Sequence, residues 1–95
     1  MISSFACRDT ERLYHGERER VRRWSDDVGR AARRKMAQIA VSLRLSDLAV
    51  PPGNHLEALK GARKGQHSIR VNDQWRLCFV WRGDAAVDLE LIDYH

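Results

Sequence analysis

Between residues 28 and 43 the apolar positions are Val28, Ala31, Ala32, Met36, Ile39, Ala40 and Leu43. Steps of three and four place them on one face of an α-helix, with Arg30, Arg33, Arg34 and Lys35 mainly off that stripe. Ser25-Asp26-Asp27 precedes the stripe as a cap signal, because acids suit the positive end of a helix. The helix is expected to end before Pro51-Pro52-Gly53, which stops helix and makes a turn. Upstream, Asp9-Thr10 opens a polar, helix-prone stretch, with Thr10 or Asp9 as its N-cap and Gly16 as its break. Leu13, Tyr14, Val21 and Trp24 supply its apolar contacts, and residues 2–6 read as a short edge strand.

After Gly53 the rhythm shortens to two. Residues 56–59 form a short, weak strand, and Gly61 to Gly65 a loop. His67 to Val71 and Trp75 to Trp81 read as strands joined by the turn Asn72-Asp73-Gln74. Gly83-Asp84 makes a further turn, and Ala86 to Tyr94 a last strand. Alternation puts Trp75, Leu77, Phe79 and Trp81 on one face and Arg76, Cys78 and Val80 on the other. Val87, Leu89 and Leu91 are expected to oppose Asp88, Glu90 and Ile92. The fold class is α+β: one domain over residues 1–95, with an N-terminal strand and two helices packed on an antiparallel sheet of three to four C-terminal strands.

A chain of 95 residues affords one core and no large internal cavity, so any site is a shallow surface. The net charge is +4, and Lys35, Lys60 and Lys64 are the only lysines among 17 basic residues. Arginine forks match phosphate oxygens, so the charge reads either as a solvated basic surface or as a site for a polyanionic partner: nucleic acid, a ribosome or an acidic protein. No apolar run approaches the ~20 residues that span a bilayer. The N-terminus lacks a signal-peptide pattern, so no membrane association and a cytoplasmic location are expected. Cys7 and Cys78 are then reduced thiols, Cys78 in a packing role between Leu77 and Phe79.

Charge concentrates where the strands begin. Lys60, Arg63, Lys64, Arg70 and Arg76 face a single acid, Asp73, over residues 60–76. The mixed sheet face is expected to present Arg70, Arg76 and Tyr94 to solvent, with His95 at its lip. RNA can be cut without metal. A base takes the proton of a 2′-hydroxyl, cations stabilise the phosphorane, and an acid protonates the leaving 5′-oxygen. Tyr94 and His95 are groups suited to that proton work, and His95, standing last, has a carboxylate beside it that favours imidazolium. Asp84, Asp88, Glu90 and Asp93 are read as a solvated or arginine-paired face, with a metal site as the lesser reading. His15 reads as surface and His55 as peripheral.

The last 37 residues carry a longer pattern: Leu59-Lys60-Gly61, Gly65-Gln66, Ser68-Ile69-Arg70, Asn72 through Arg76, Gly83-Asp84-Ala85, and Asp93-Tyr94-His95. It resembles the C-terminal half of HigB-type toxins of the RelE superfamily, and the opening Met1-Ile2 with Phe5 is also typical. The resemblance implies a microbial-RNase-like fold and metal-independent cleavage of mRNA in the A site of the small ribosomal subunit, with no cofactor. It implies neutralisation by a HigA-like helix-turn-helix antitoxin, with operator DNA contacted only through that complex. By position, Lys60, Arg76, Tyr94 and His95 match the catalytic residues. Arg63 and Arg70 match RNA contacts, and Lys64 and Asn72 extend that set. Some relatives carry His where this chain has Glu57, an aromatic where it has His67, and Arg where it has Asn72. The alternative reading is a protein that binds the ribosome or the antitoxin without cutting, acting through translation arrest or operon autoregulation.

Overall fold

The computed structural model describes residues 1–17 and 21–93. Helix α1 spans Arg8–Tyr14, and its N-cap is Cys7, whose Sγ accepts from the Thr10 amide at 3.4 Å. Neither Asp9 nor Thr10 caps it. Thr10 is buried, and its Oγ1 accepts from the Leu91 amide at 3.2 Å, so its hydroxyl ties the helix to the sheet. The helix stops before Gly16, which adopts φ 80°.

Helix α2 spans Asp26–Val41 and is capped by Ser25, whose Oγ accepts from the Val28 amide at 3.2 Å. Its stripe buries Gly29, Ala32, Met36 and Ile39. Gly29 is a packing position: a Cβ there would sit 3.2 Å from Leu13 Cδ1, so the missing side chain lets the two helices close up. The helix ends two residues short of Leu43, which is 70% exposed and off the stripe. The Asp47 carboxylate causes this by accepting from the amides of Leu43 and Arg44, each at 3.0 Å. The same two bonds hold its pKa below the usual carboxylate range. The chain then enters a 3-10 turn, Leu45–Ala49, and Leu48 fills the core instead.

Four strands follow: β1 (Glu57–Ala58), β2 (His67–Arg70), β3 (Trp75–Arg82) and β4 (Ala85–Asp93), antiparallel and in sequence order across the sheet. The expected strand over residues 2–6 is reduced to two parallel bridges on β4, Ile2 with Ala86 and Phe5 with Leu89.

The alternation along β4 breaks at a bulge. Cys78 pairs with Glu90 but Val80 with Val87, and Asp88 adopts φ 56°. Val87 therefore shares the face of Val80, and Ala86 is the buried residue on the helix side. This corrects the expected parity. The cause lies at the other end of the chain: Ser4 Oγ accepts from the Asp88 amide at 2.9 Å, and the Ser4 carbonyl from the Leu89 amide at 3.0 Å. The N-terminal segment thus satisfies amides that a bulge takes out of the ladder.

Leu77, Phe79, Ile69, Leu89 and Leu91 meet Met36, Ile39 and Leu13 in the core, and Trp75 and Trp81 pack against its margin. The opposite sheet face has a smaller apolar cluster of Leu59, Cys78 and Ile92. Among the described residues, no helix is long and apolar enough to cross a membrane.

Replacing Thr10 with Val keeps the shape but leaves the buried Leu91 amide without its acceptor. The expected cost is about 1–3 kcal/mol in urea unfolding; a midpoint equal to that of the parent would show that the hydroxyl does not tie helix to sheet.

Candidate functional site

The sheet face away from the helices is built by register. Glu57, Ser68, Cys78 and Glu90 form one row across β1 to β4, and Arg70, Arg76 and Ile92 form the next. Facing arginines on neighbouring strands repel. Here the two guanidinium groups have different partners. Arg70 is drawn to the hairpin turn, where its Nε donates to the Asn72 carbonyl at 3.1 Å and its Nη2 pairs with the Asp73 carboxylate. Arg76 reaches towards β1. Its Nε donates to Ser68 Oγ at 2.8 Å, its Nη2 donates to the His55 carbonyl at 2.6 Å, and Glu57 Oε1 lies 3.9 Å from that Nη2.

Arg76 was expected to stand in solvent; its side chain is only 13% exposed. The three partners fix the fork in place. Among the described residues, Nη1, with its two N–H donors, has no partner. Arg63 lies on the other side of Cys78. Its Nη1 donates to Gln66 Oε1 at 3.0 Å and stands 3.6 Å from Glu90 Oε1. Burial pushes the Cys78 thiol up to about 11, against the pull of the nearby Arg63 and Arg76 charges.

Lys60 heads the 3-10 turn Gly61–Arg63, and its carbonyl accepts from the Arg63 amide at 3.3 Å. Leu59 anchors this segment: its side chain is buried against Cys78 and Ile92, and its amide donates to the Gln66 carbonyl at 2.8 Å. Lys60 and Lys64 are exposed, and among the described residues neither ammonium has a partner. Asn72 serves the turn, with Oδ1 accepting from the amides of Gln74 and Trp75 at 2.9 and 2.8 Å.

The structure therefore gathers Arg63, Arg70 and Arg76 on one face, with Lys60 and Lys64 on the turn that carries Arg63. The positions of Tyr94 and His95 lie outside the described residues; β4 is described to Asp93, whose Oδ2 accepts from Gln74 Nε2 at 2.9 Å. Sequence reasoning missed Ser68 and the His55 carbonyl as partners of Arg76, and treated Glu57 only as a departure. The parity shared by Ser68 and Arg76 across the hairpin was a usable signal for Ser68. Among the described residues, no group of three His, Cys, Asp or Glu side chains is placed to hold a metal ion.

A model of the RelE-like toxins of the HigB type II toxin–antitoxin system matches residues 3–95. The chain belongs to this HigB-like toxin family. It is 36% identical over 91 residues to Toxin HigB-1 of Vibrio cholerae serotype O1, an alignment covering 96% of this chain and 95% of that one. It is also 40% identical over 58 residues to an uncharacterized protein of Haemophilus influenzae, covering 61% and 57% of the two chains. In fold, this HigB-like chain is similar to one in the YoeB-YefM complex from Staphylococcus aureus, with TM-score 0.62, 14% identity, and coverage of 100% and 98%. A heterotetrameric YoeB-YefM toxin-antitoxin complex from the same organism gives TM-score 0.58 at 15% identity, with coverage of 100% and 98%.

Because the folded thiol of Cys78 titrates higher than the ordinary 9.0, its protonated form stabilises the fold. That contribution is intact below pH 9 and is lost as pH rises through about 11. A thiol-specific reagent at pH 8 is expected to label Cys78 only after denaturant is added; rapid native labelling of Cys78 would contradict a sealed floor beneath the arginines.

Proposed function

We propose that this toxin is a ribosome-dependent mRNA endonuclease. It acts in the cytoplasm, in the A site of the small subunit, and cuts without a metal ion. A HigA-like helix-turn-helix antitoxin neutralises it, and operator DNA is reached only through that complex. The supporting observation is the Arg76 guanidinium, held by Ser68, His55 and Glu57 with one nitrogen unpartnered among the described residues, beside Arg63 and Arg70. A shallow cationic face with a fixed fork suits a backbone phosphate presented by a larger assembly.

In this reading the 2′-hydroxyl attacks the adjacent phosphorus, a cyclic phosphate forms, and the 5′-oxygen leaves. Glu57, the carboxylate beside Arg76, accepts the 2′-hydroxyl proton. Arg76 and Lys60 stabilise the charge on the phosphorane. Arg70, Arg63, Lys64 and Asn72 position the backbone. Tyr94 or His95 gives a proton to the leaving oxygen. The second reading, a binder of ribosome or antitoxin that cuts nothing, is favoured by Glu57 and Glu90, which offset part of the charge of Arg76 and Arg63. Primer extension on mRNA after induced expression separates the two: cuts support the enzyme, and arrested translation with intact message supports the binder.

Arg76→Ala is expected to lower cleavage on programmed ribosomes by about 10²–10³-fold, as loss of a positioned charge donor does elsewhere. Deleting Tyr94 and His95 is expected to abolish cleavage; a truncated protein that cuts at the full rate would remove both from the mechanism. Glu57→Gln is expected to be nearly inactive, whereas Glu57→His retains cleavage. An imidazole titrates ~2 units above a carboxylate in water, so the acid limb of the pH–rate profile moves up in the His variant. An unmoved limb would show that residue 57 takes no proton.

A further inference from the structure

Arg76 points where it does because of a backbone carbonyl, and that carbonyl is set by a residue outside the cationic face. His55 follows the 3-10 turn Pro52–Asn54 and adopts the left-handed conformation, φ 46°. Its amide donates to the Pro52 carbonyl at 3.0 Å, and its own carbonyl turns towards Arg76 Nη2. The preceding residue, Asn54, has no exposed surface. Its Oδ1 accepts from Lys35 Nζ at 2.5 Å, and its Nδ2 donates to Gln38 Oε1 at 3.0 Å and to the carbonyls of Leu48 and Val50 at 3.1 and 3.3 Å. Lys35 and Gln38 are three apart on α2 and so share a side of that helix. Gln38 Nε2 also donates to the Val50 carbonyl at 2.5 Å.

These bonds form a continuous strut from α2, in the helix layer, to the guanidinium on the far face of the sheet. We infer that Asn54 is a positioning residue for RNA cleavage: it fixes the His55 carbonyl and thereby the direction of Arg76. The inference rests on the reading of Arg76 given above. A buried side-chain amide whose oxygen and nitrogen are both bonded holds one orientation, since turning it over would set donors against Lys35 and an acceptor against three oxygens. Freed from it, residues 52–55 lose their tie to the helix, and the 2.6 Å bond to Arg76 loses its acceptor geometry. A misplacement of about 1 Å at a reacting group costs on the order of 100-fold in rate.

The test is Asn54→Ala, assayed on mRNA-programmed ribosomes at a temperature where circular dichroism shows the variant folded. Turnover is expected to fall by about 10–100-fold with KM changed far less. In an Arg76→Lys background, which keeps the charge but lacks the fork that meets His55, the same substitution is expected to cost almost nothing more. Lys35→Met, which removes one bond of the strut and keeps the apolar stem, is expected to show a smaller effect of the same kind, so the test survives an unstable Asn54 variant. An equal loss in both backgrounds would mark Asn54 as structural only and overturn the inference. Nitrogen NMR of the Arg76 side chain in the free protein reads the same link without any cleavage assay. The guanidinium signals are expected to broaden in Asn54→Ala, and unchanged signals would overturn the inference even if RNA cleavage itself proved absent.

Discussion

Along β3, Leu77 and Phe79 turn into the helices while Arg76 and Cys78 turn the other way. That alternation divides the molecule between two tasks. Only one sheet face is covered by helices, so burial is concentrated there, and the fold needs the outward rows only for a small floor of Leu59, Cys78 and Ile92. The outward face can therefore carry charge at little expense to the core. Arginines on neighbouring strands would repel if both pointed at one spot. The Asp73 carboxylate at the hairpin and the Glu57 and His55 oxygens near β1 hold Arg70 and Arg76 to separate partners.

The cationic face is held by backbone oxygens and hydroxyls as much as by carboxylates. Ser68 and His55 supply neutral acceptors to Arg76, so these two contacts hold the guanidinium without offsetting its charge. Glu57, at 3.9 Å and half exposed, lies at the margin of ion-pair reach. At that distance the carboxylate adds little to the hold on Arg76, which rests on the two shorter bonds to Ser68 and His55.

The meander was legible because its signals are local. Trp75 to Trp81 alternates, Asn72-Asp73-Gln74 is turn chemistry, and Ser25 announces α2 by side-chain capping. The basic residues of the site were legible for the same reason, since period two placed Arg70 and Arg76 together. What could not be read depended on partners distant in sequence. The bulge at Asp88 is matched to Ser4, 84 residues away. Leu43 looked like stripe until Asp47 took its amide. The hold on Arg76 comes from a carbonyl, which every residue owns, so no side-chain pattern announces it. Cys7 as a cap was missed because sulfur is a weak acceptor and rarely serves there.

The bulge also divides β4 into two reading frames. Before Asp88 the inward positions include Ala86, and after it Leu89 and Leu91; the bulge absorbs the extra residue, so both halves serve the same core. Loss of one amino acid between Ala86 and Leu89 would set those two residues two apart, on one face of a regular strand, so the core parity would survive and only the bulge that meets Ser4 would be lost. The odd residue therefore serves the seam with the N-terminal segment, through the Asp88 and Leu89 amides that Ser4 receives, and not the core, which a strand one residue shorter would fill equally well.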